Sequence, residues 1–160
     1  MSDPLTVRRG DLTLVIMNGT GKRLPAAAGF AGVLAKGLRR NRPRRGRKFS
    51  LTLMVVGDRE MAKLARRFAG AGGLTDVLAF EDGSADSRTG RVDLGEVVIS
   101  RDRAVAEAKA RGTSAGDEMR LYALHGLLHM LGYDDGSAAQ RRRMFAEQAA
   151  VVGEFGGDLS

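Results

Sequence analysis

The chain has no cysteine and no tryptophan, three prolines, and two histidines among its 160 residues. Without cysteine there can be no disulfide, no thiolate zinc cluster and no thiol nucleophile. Any transition metal must therefore be held by histidine and carboxylate. No segment approaches the roughly 20 apolar residues of a membrane-spanning helix, and Leu12–Met17 is far too short. The first residues, Met-Ser-Asp-Pro, lack a basic region followed by a long apolar one, so no export signal is expected and the cytoplasm is the expected compartment.

What is present fits one soluble domain spanning residues 1–160, long enough for a sizeable core. Apolar residues make up 43% and charged residues 28%, an ordinary globular balance. The formal charge of +7 favours a polyanionic partner, RNA or DNA before an anionic membrane. The joint richness in Arg, Ala and Gly is equally what a GC-rich genome produces. Position is more informative than the total. Residues 39–48, Arg-Arg-Asn-Arg-Pro-Arg-Arg-Gly-Arg-Lys, form a basic connection that either follows phosphates along an RNA strand or stays solvated. It has no interleaved aromatics, which argues against base stacking there.

In chain order, residues 12–18, 50–56, 76–81 and 94–100 read as strands, from their apolar or alternating runs and the Gly, Asp and Asn that stop them. Helices are predicted from Pro25 to Arg39, over 59–68 with Asp58 as cap, over 101–111 after Ser100, from Ser114, and over 138–152 after Ser137. Ser114 and Asp117 have the spacing of a capping box. The Gly-rich stretch 69–74 reads as irregular, and residues 153–160 as a frayed tail. Strands in the middle of the chain with helices before and after them indicate an α+β or α/β domain, its sheet of about four strands.

Both histidines fall in one stretch, His125-Gly126-Leu127-Leu128-His129-Met130-Leu131-Gly132-Tyr133-Asp134-Asp135. On a helix a four-residue step turns roughly 400° and rises about 6 Å, which stacks the two imidazoles on one face. That is how a helix offers two nitrogens to one metal ion. Gly132 sits where a left-handed helix stop is expected, so a carboxylate on the returning segment can supply a third, oxygen ligand. Asp135 is the candidate and Asp134 its rival. Alternatively, the histidines are half-buried structural residues beside a stripe of Leu121, Leu124, Leu128 and Leu131 that faces a core.

Three stretches carry a family resemblance. Leu74-Thr75-Asp76-Val77-Leu78-Ala79-Phe80 is similar to the P-T-D-V-L-S-F of the YbeY endoribonucleases, bacterial rRNA maturation factors. Leu94-Gly95-Glu96-Val97-Val98-Ile99-Ser100 resembles their L-G-D-I-x-I-S, and the histidine stretch resembles their H-G-x-L-H-L-x-G-Y-D-H. The match covers roughly residues 50–150. The resemblance implies a single α+β domain with a mixed sheet and a zinc-type site open to solvent. It further implies a metal-dependent endonuclease of single-stranded RNA, acting in 16S rRNA 3′-end maturation and ribosome quality control, with the small ribosomal subunit as partner.

Two departures touch the chemistry. The family's third ligand is a histidine, and Asp135 stands in its place; with His125 and His129 it gives two imidazoles and a carboxylate, a set known for catalytic zinc. The negative charge weakens the metal as a Lewis acid, and the set also suits manganese or iron(II). The family's RNA-engaging arginine corresponds to Ala69, which leaves Arg66 and Arg67 as candidate substitutes, with Arg44, Arg45 and the run Arg141–Arg143 as further candidate RNA contacts. In the expected mechanism the ion polarises the scissile phosphate and activates water. A protease-type general base is absent because Gly126 follows the first histidine, and no general base is assigned. Glu118, two turns before His125, is either a neighbour of the site or a surface charge. The alternative function is a non-cleaving rRNA- or ribosome-binding factor that keeps the fold.

Overall fold

The computed structural model describes residues 2–43, 47–69 and 76–153. Met1, Arg44, Arg45, Gly46, residues 70–75 and residues 154–160 lie outside the described residues, and with them most of the stretches expected to be irregular (69–74) and frayed (153–160). Five strands form one mixed sheet: β1 (Leu5–Arg9), β2 (Leu12–Asn18), β3 (Phe49–Val56), β4 (Val77–Glu81) and β5 (Val92–Ser100), in the order β1-β2-β3-β5-β4. β2, β3 and β5 run parallel, and the two edge strands pair antiparallel. The helices are α1 (Ala27–Arg40), α2 (Asp58–Leu64), α3 (Arg101–Arg111), α4 (Ala115–Met130) and α5 (Ala138–Val152). The architecture is single-domain α+β.

The sequence predicts about four strands, and the fifth is β1. Its residues are exposed apart from a half-buried Val7, so no apolar alternation announces it. It is held as an edge strand by the tight turn at Gly10-Asp11, which sets Arg9 opposite Leu12. The central strands alternate buried and half-buried positions as β2 and β3 should, with Leu12, Leu14 and Ile16 beside Leu51, Leu53 and Val55 on one face. α1 and α4 cover that face, and α2 covers a smaller cluster of Val56, Met61, Ala65, Leu78 and Val98 on the other.

The serine caps form as the sequence predicts. Ser100, Ser114 and Ser137 accept the backbone N–H of Arg103, Asp117 and Gln140 at 3.2, 3.0 and 3.1 Å. Asp117 does not complete a reciprocal box, because its carboxylate turns to Arg120 at 2.6 Å. Asp58 is not the cap of α2 either. Gly57 holds that place, while Asp58 accepts the Ser100 hydroxyl at 2.7 Å and donates its N–H to Asp102 at 2.8 Å. This ties the start of α2 to the start of α3.

α4 is the central helix of the structure. Met119, Tyr122, Ala123 and Leu127 face the sheet, whereas Leu124 and Leu128 pack on Met144 and Val151 of α5. The leucine stripe therefore faces two partners, with Leu124 and Leu128 turned to α5 rather than to the sheet. Covered on two sides, the helix is apolar around most of its circumference.

Candidate metal centre

One side of α4 is left partly open, and His125 and His129 lie on it with side chains 23% and 31% exposed. Gly126 between them lies tight against the sheet. A Cβ there would stand 2.5 Å from Val97 Cγ1 and 3.1 Å from Val77 Cγ1. Only a glycine permits that approach. The helix then ends in a Schellman arrangement: Gly132, at φ +104°, donates its N–H to His129 O at 3.2 Å, and Tyr133 donates to Leu128 O at 3.0 Å. The left-handed stop expected at Gly132 is present, and it sends the chain back beside the histidines.

Asp135 arrives on that returning segment. Its Oδ2 is 3.6 Å from the Nε2 of His125 and 3.6 Å from that of His129. The two Nε2 atoms are 3.2 Å apart, their rings inclined at 76°. Two ligands each about 2.0–2.1 Å from a tetrahedral ion stand about 3.3 Å apart, so these spacings fit one small divalent ion. Among the described residues this trio alone forms such a group, its ligand atoms within 4.8 Å of one another. Asp134 does not join it, because its Oδ1 accepts the N–H of Asp135 at 2.8 Å.

Burial holds the pKa of His125 below its ordinary value of 6.5, although the hydrogen bond to Gln148 pulls the other way. Burial thus favours the neutral imidazole that a metal requires. Gln148, on α5, is a site neighbour that the sequence reading misses. Its Oε1 lies 2.7 Å from His125 Nδ1, and the residue is 2% exposed. A signal exists in the sequence: Met144, Gln148 and Val151 share one helical stripe, and a lone polar residue in an apolar stripe needs a buried partner.

The remaining candidates are placed differently. Glu118 is neither a surface charge nor a contact of the trio; it is 1% exposed and accepts the Thr113 hydroxyl at 2.8 Å. Arg66 and Arg67 lie exposed on a π-helical turn, Ala65–Ala69, that extends α2, with Arg67 over the Phe68 ring at 5.1 Å. No hydrogen bond or ion pair among the described residues joins either to the histidine–aspartate trio. Arg141 is adjacent to it: its Nη1 donates to the backbone oxygen of Asp135 at 3.2 Å.

Fold and site together define an α+β protein with a solvent-accessible two-histidine, one-carboxylate cluster on a central helix. The profile of the family described as Endoribonuclease YbeY matches residues 30–156, and the chain belongs to that family. It is 36% identical to the Endoribonuclease YbeY of Salinispora tropica over 115 residues, which are 66% of this chain and 73% of that one. It is 40% identical to the Myxococcus xanthus protein of the same name over 107 residues, 66% of this chain and 36% of the relative. A protein of Thermotoga maritima solved in solution shares the fold, with TM-score 0.53 over 86% of each chain at 23% identity. No helix among the described residues is long and apolar enough to cross a membrane.

Proposed function

We propose that the chain is a metal-dependent endoribonuclease of single-stranded RNA whose ion is held by His125, His129 and Asp135. The observation that carries this reading is the convergence of the three ligand atoms within 4.8 Å on an exposed rim, in a chain of the YbeY family. Zinc suits two imidazoles and a carboxylate, and manganese or iron(II) are the alternatives. The chemistry that such an ion supplies when bound is Lewis-acid activation of water and of the phosphodiester. The protein's own part is to hold the two Nε2 lone pairs and the carboxylate together, and to keep substrate phosphates near them.

Among the described residues Arg141, braced on the Asp135 carbonyl, is the cation tied to the trio, and it stands as the phosphate contact in place of the arginine replaced by Ala69. An open groove of about 920 Å³ runs beside the end of α4, with Arg42 at its edge and Val92, Leu94, Met130 and Leu131 on its walls. Its lining also includes the carboxylates of Glu81 and Asp82 and no aromatic side chain, so it offers an unstacked base apolar surface without a stacking platform. Family membership supports the finer reading: cytoplasmic processing of the 16S rRNA 3′ end on the small ribosomal subunit, with a part in ribosome quality control.

The test joins metal content to cleavage. Elemental mass spectrometry should find near one ion per chain, lost in Asp135→Ala, and single-stranded RNA should be cut by the wild type but not by His129→Ala. A chain that binds no metal from zinc-replete medium would overturn the hydrolytic reading. Bound metal without cleavage would favour the non-cleaving RNA-binding factor, in keeping with the loss of the family arginine at Ala69.

A further inference from the structure

Three polar or charged residues are buried among the described residues: Ser100, Glu118 and Gln148. Ser100 caps α3 and Glu118 holds Thr113, both local tasks of the fold. Gln148 is different, since its hydrogen-bond partner is a candidate metal ligand. It projects from the face of α5 that carries Met144 and Val151, both packed on Leu124 and Leu128 of α4. The apolar contacts on either side fix where the amide stands. Its Oε1 then meets His125 Nδ1 at 2.7 Å.

We propose that Gln148 is a positioning residue that locks His125 as its Nδ1–H tautomer and so aims the Nε2 lone pair at a divalent metal ion. This rests on the metal-centre reading above. An amide oxygen can only accept, so the proton between the two groups belongs to Nδ1. A neutral imidazole has one N–H, which leaves Nε2 bare, and Nε2 is the atom facing His129 and Asp135. The other tautomer would drive an N–H into the trio and set two lone pairs against each other at a buried contact, leaving an unsatisfied acceptor. The amide also suits the charge of the site. Asp135 already supplies one negative charge, and Gln148 orients the ring without burying a second.

Two measurements test this, and both use the full chain. With only two histidines in the protein, long-range proton–nitrogen correlation spectra of the metal-free wild type contain two rings to assign. The expected result is a protonated Nδ1 and a bare Nε2 on His125. A protonated Nε2 there would mean that the amide presents its NH2 group instead, and would overturn the proposal without any variant. Zinc affinity, read by competition with a chromophoric chelator, should fall about 10- to 100-fold in Gln148→Met, which keeps the volume but has no acceptor. Gln148→Glu, which restores an acceptor, should stay within about threefold of wild type or bind more tightly, by the same orienting role. Unchanged zinc affinity in a folded Gln148→Met would refute the role of Gln148 alone. A wild type that binds no zinc would refute the metal reading itself, so the two failures are distinguishable.

Discussion

Tyr133 donates its hydroxyl proton to Asn41 Oδ1 at 2.9 Å, joining the segment that carries Asp135 to the end of α1 across 92 residues of chain. Asn41 passes the connection on, since its Nδ2 donates to Gly37 O at 3.0 Å and to Glu147 Oε1 at 2.9 Å. Glu147 also accepts from Arg40 Nε at 2.8 Å. It neighbours Gln148 on α5, so the helix that holds His125 and the loop that delivers Asp135 are tied to one anchor on α1.

Tyr133→Phe removes one link of that chain and little volume. The expected cost is about 1 kcal/mol of stability, the usual worth of one hydrogen bond. Zinc affinity should fall as the Asp135 segment loosens, by less than the roughly 10- to 100-fold expected on losing a direct partner of a ligand, because Tyr133 touches none of the three. Chelator competition and thermal unfolding measure both. Unchanged affinity would mean that the Gly132 turn alone places Asp135.

Gly126→Ala puts a methyl group only 2.5 Å from Val97 Cγ1. Val97 is fully buried, on the interior strand β5 between β3 and β4, and cannot swing aside. The helix must lift, at an expected cost of about 1–3 kcal/mol for overpacking. Both candidate ligands, His125 and His129, ride on the same helix, so zinc affinity should fall with the melting temperature. A variant that melts like wild type would show that the sheet has slack beneath α4.

The Arg40–Glu147 pair gives a pH dependence with a definite sign. The hydrogen bond from Arg40, with help from Asn41, holds the Glu147 carboxyl below its ordinary 4.5, while Arg40 is pushed further up and stays charged. A depressed carboxylate contributes stability above its unfolded pKa and loses it as pH falls through the folded one. The clasp between α1 and α5 is thus complete above about pH 4.5 and weakens below it. Urea midpoints measured from pH 6 to pH 3 should fall more steeply for wild type than for Glu147→Gln. Parallel curves would show that the pair adds nothing.

Arg141→Ala tests the phosphate role. The side chain is exposed, so stability should change by no more than about 0.5 kcal/mol. KM for single-stranded RNA should rise with kcat little changed, and the salt slope of binding should become shallower by about one. A KM and a salt slope equal to wild type would leave Arg141 as a brace for the Asp135 carbonyl and nothing more.

Much of this protein is fixed by local pattern. The alternation in 12–18 and 50–56 specifies β2 and β3 because a strand turns successive side chains to opposite faces. The helix starts at Ser100, Ser114 and Ser137 follow from the hydroxyl that satisfies an orphan N–H. The spacing of His125 and His129 places two imidazoles on one face, and Gly132 reverses the chain, so the site is legible before the fold is known. Three features needed the tertiary structure. β1 is held by pairing with β2 rather than by its own apolar residues, and a backbone partner leaves no mark on side-chain pattern. The family motif already favours Asp135 over Asp134, but only the loop's conformation brings the Asp135 carboxylate beside the histidines while that of Asp134 accepts a backbone N–H. Gln148 lies 23 residues from His125. The stripe of Met144, Gln148 and Val151 marks Gln148 as needing a buried partner, but which residue that is follows only from α5 packing across α4.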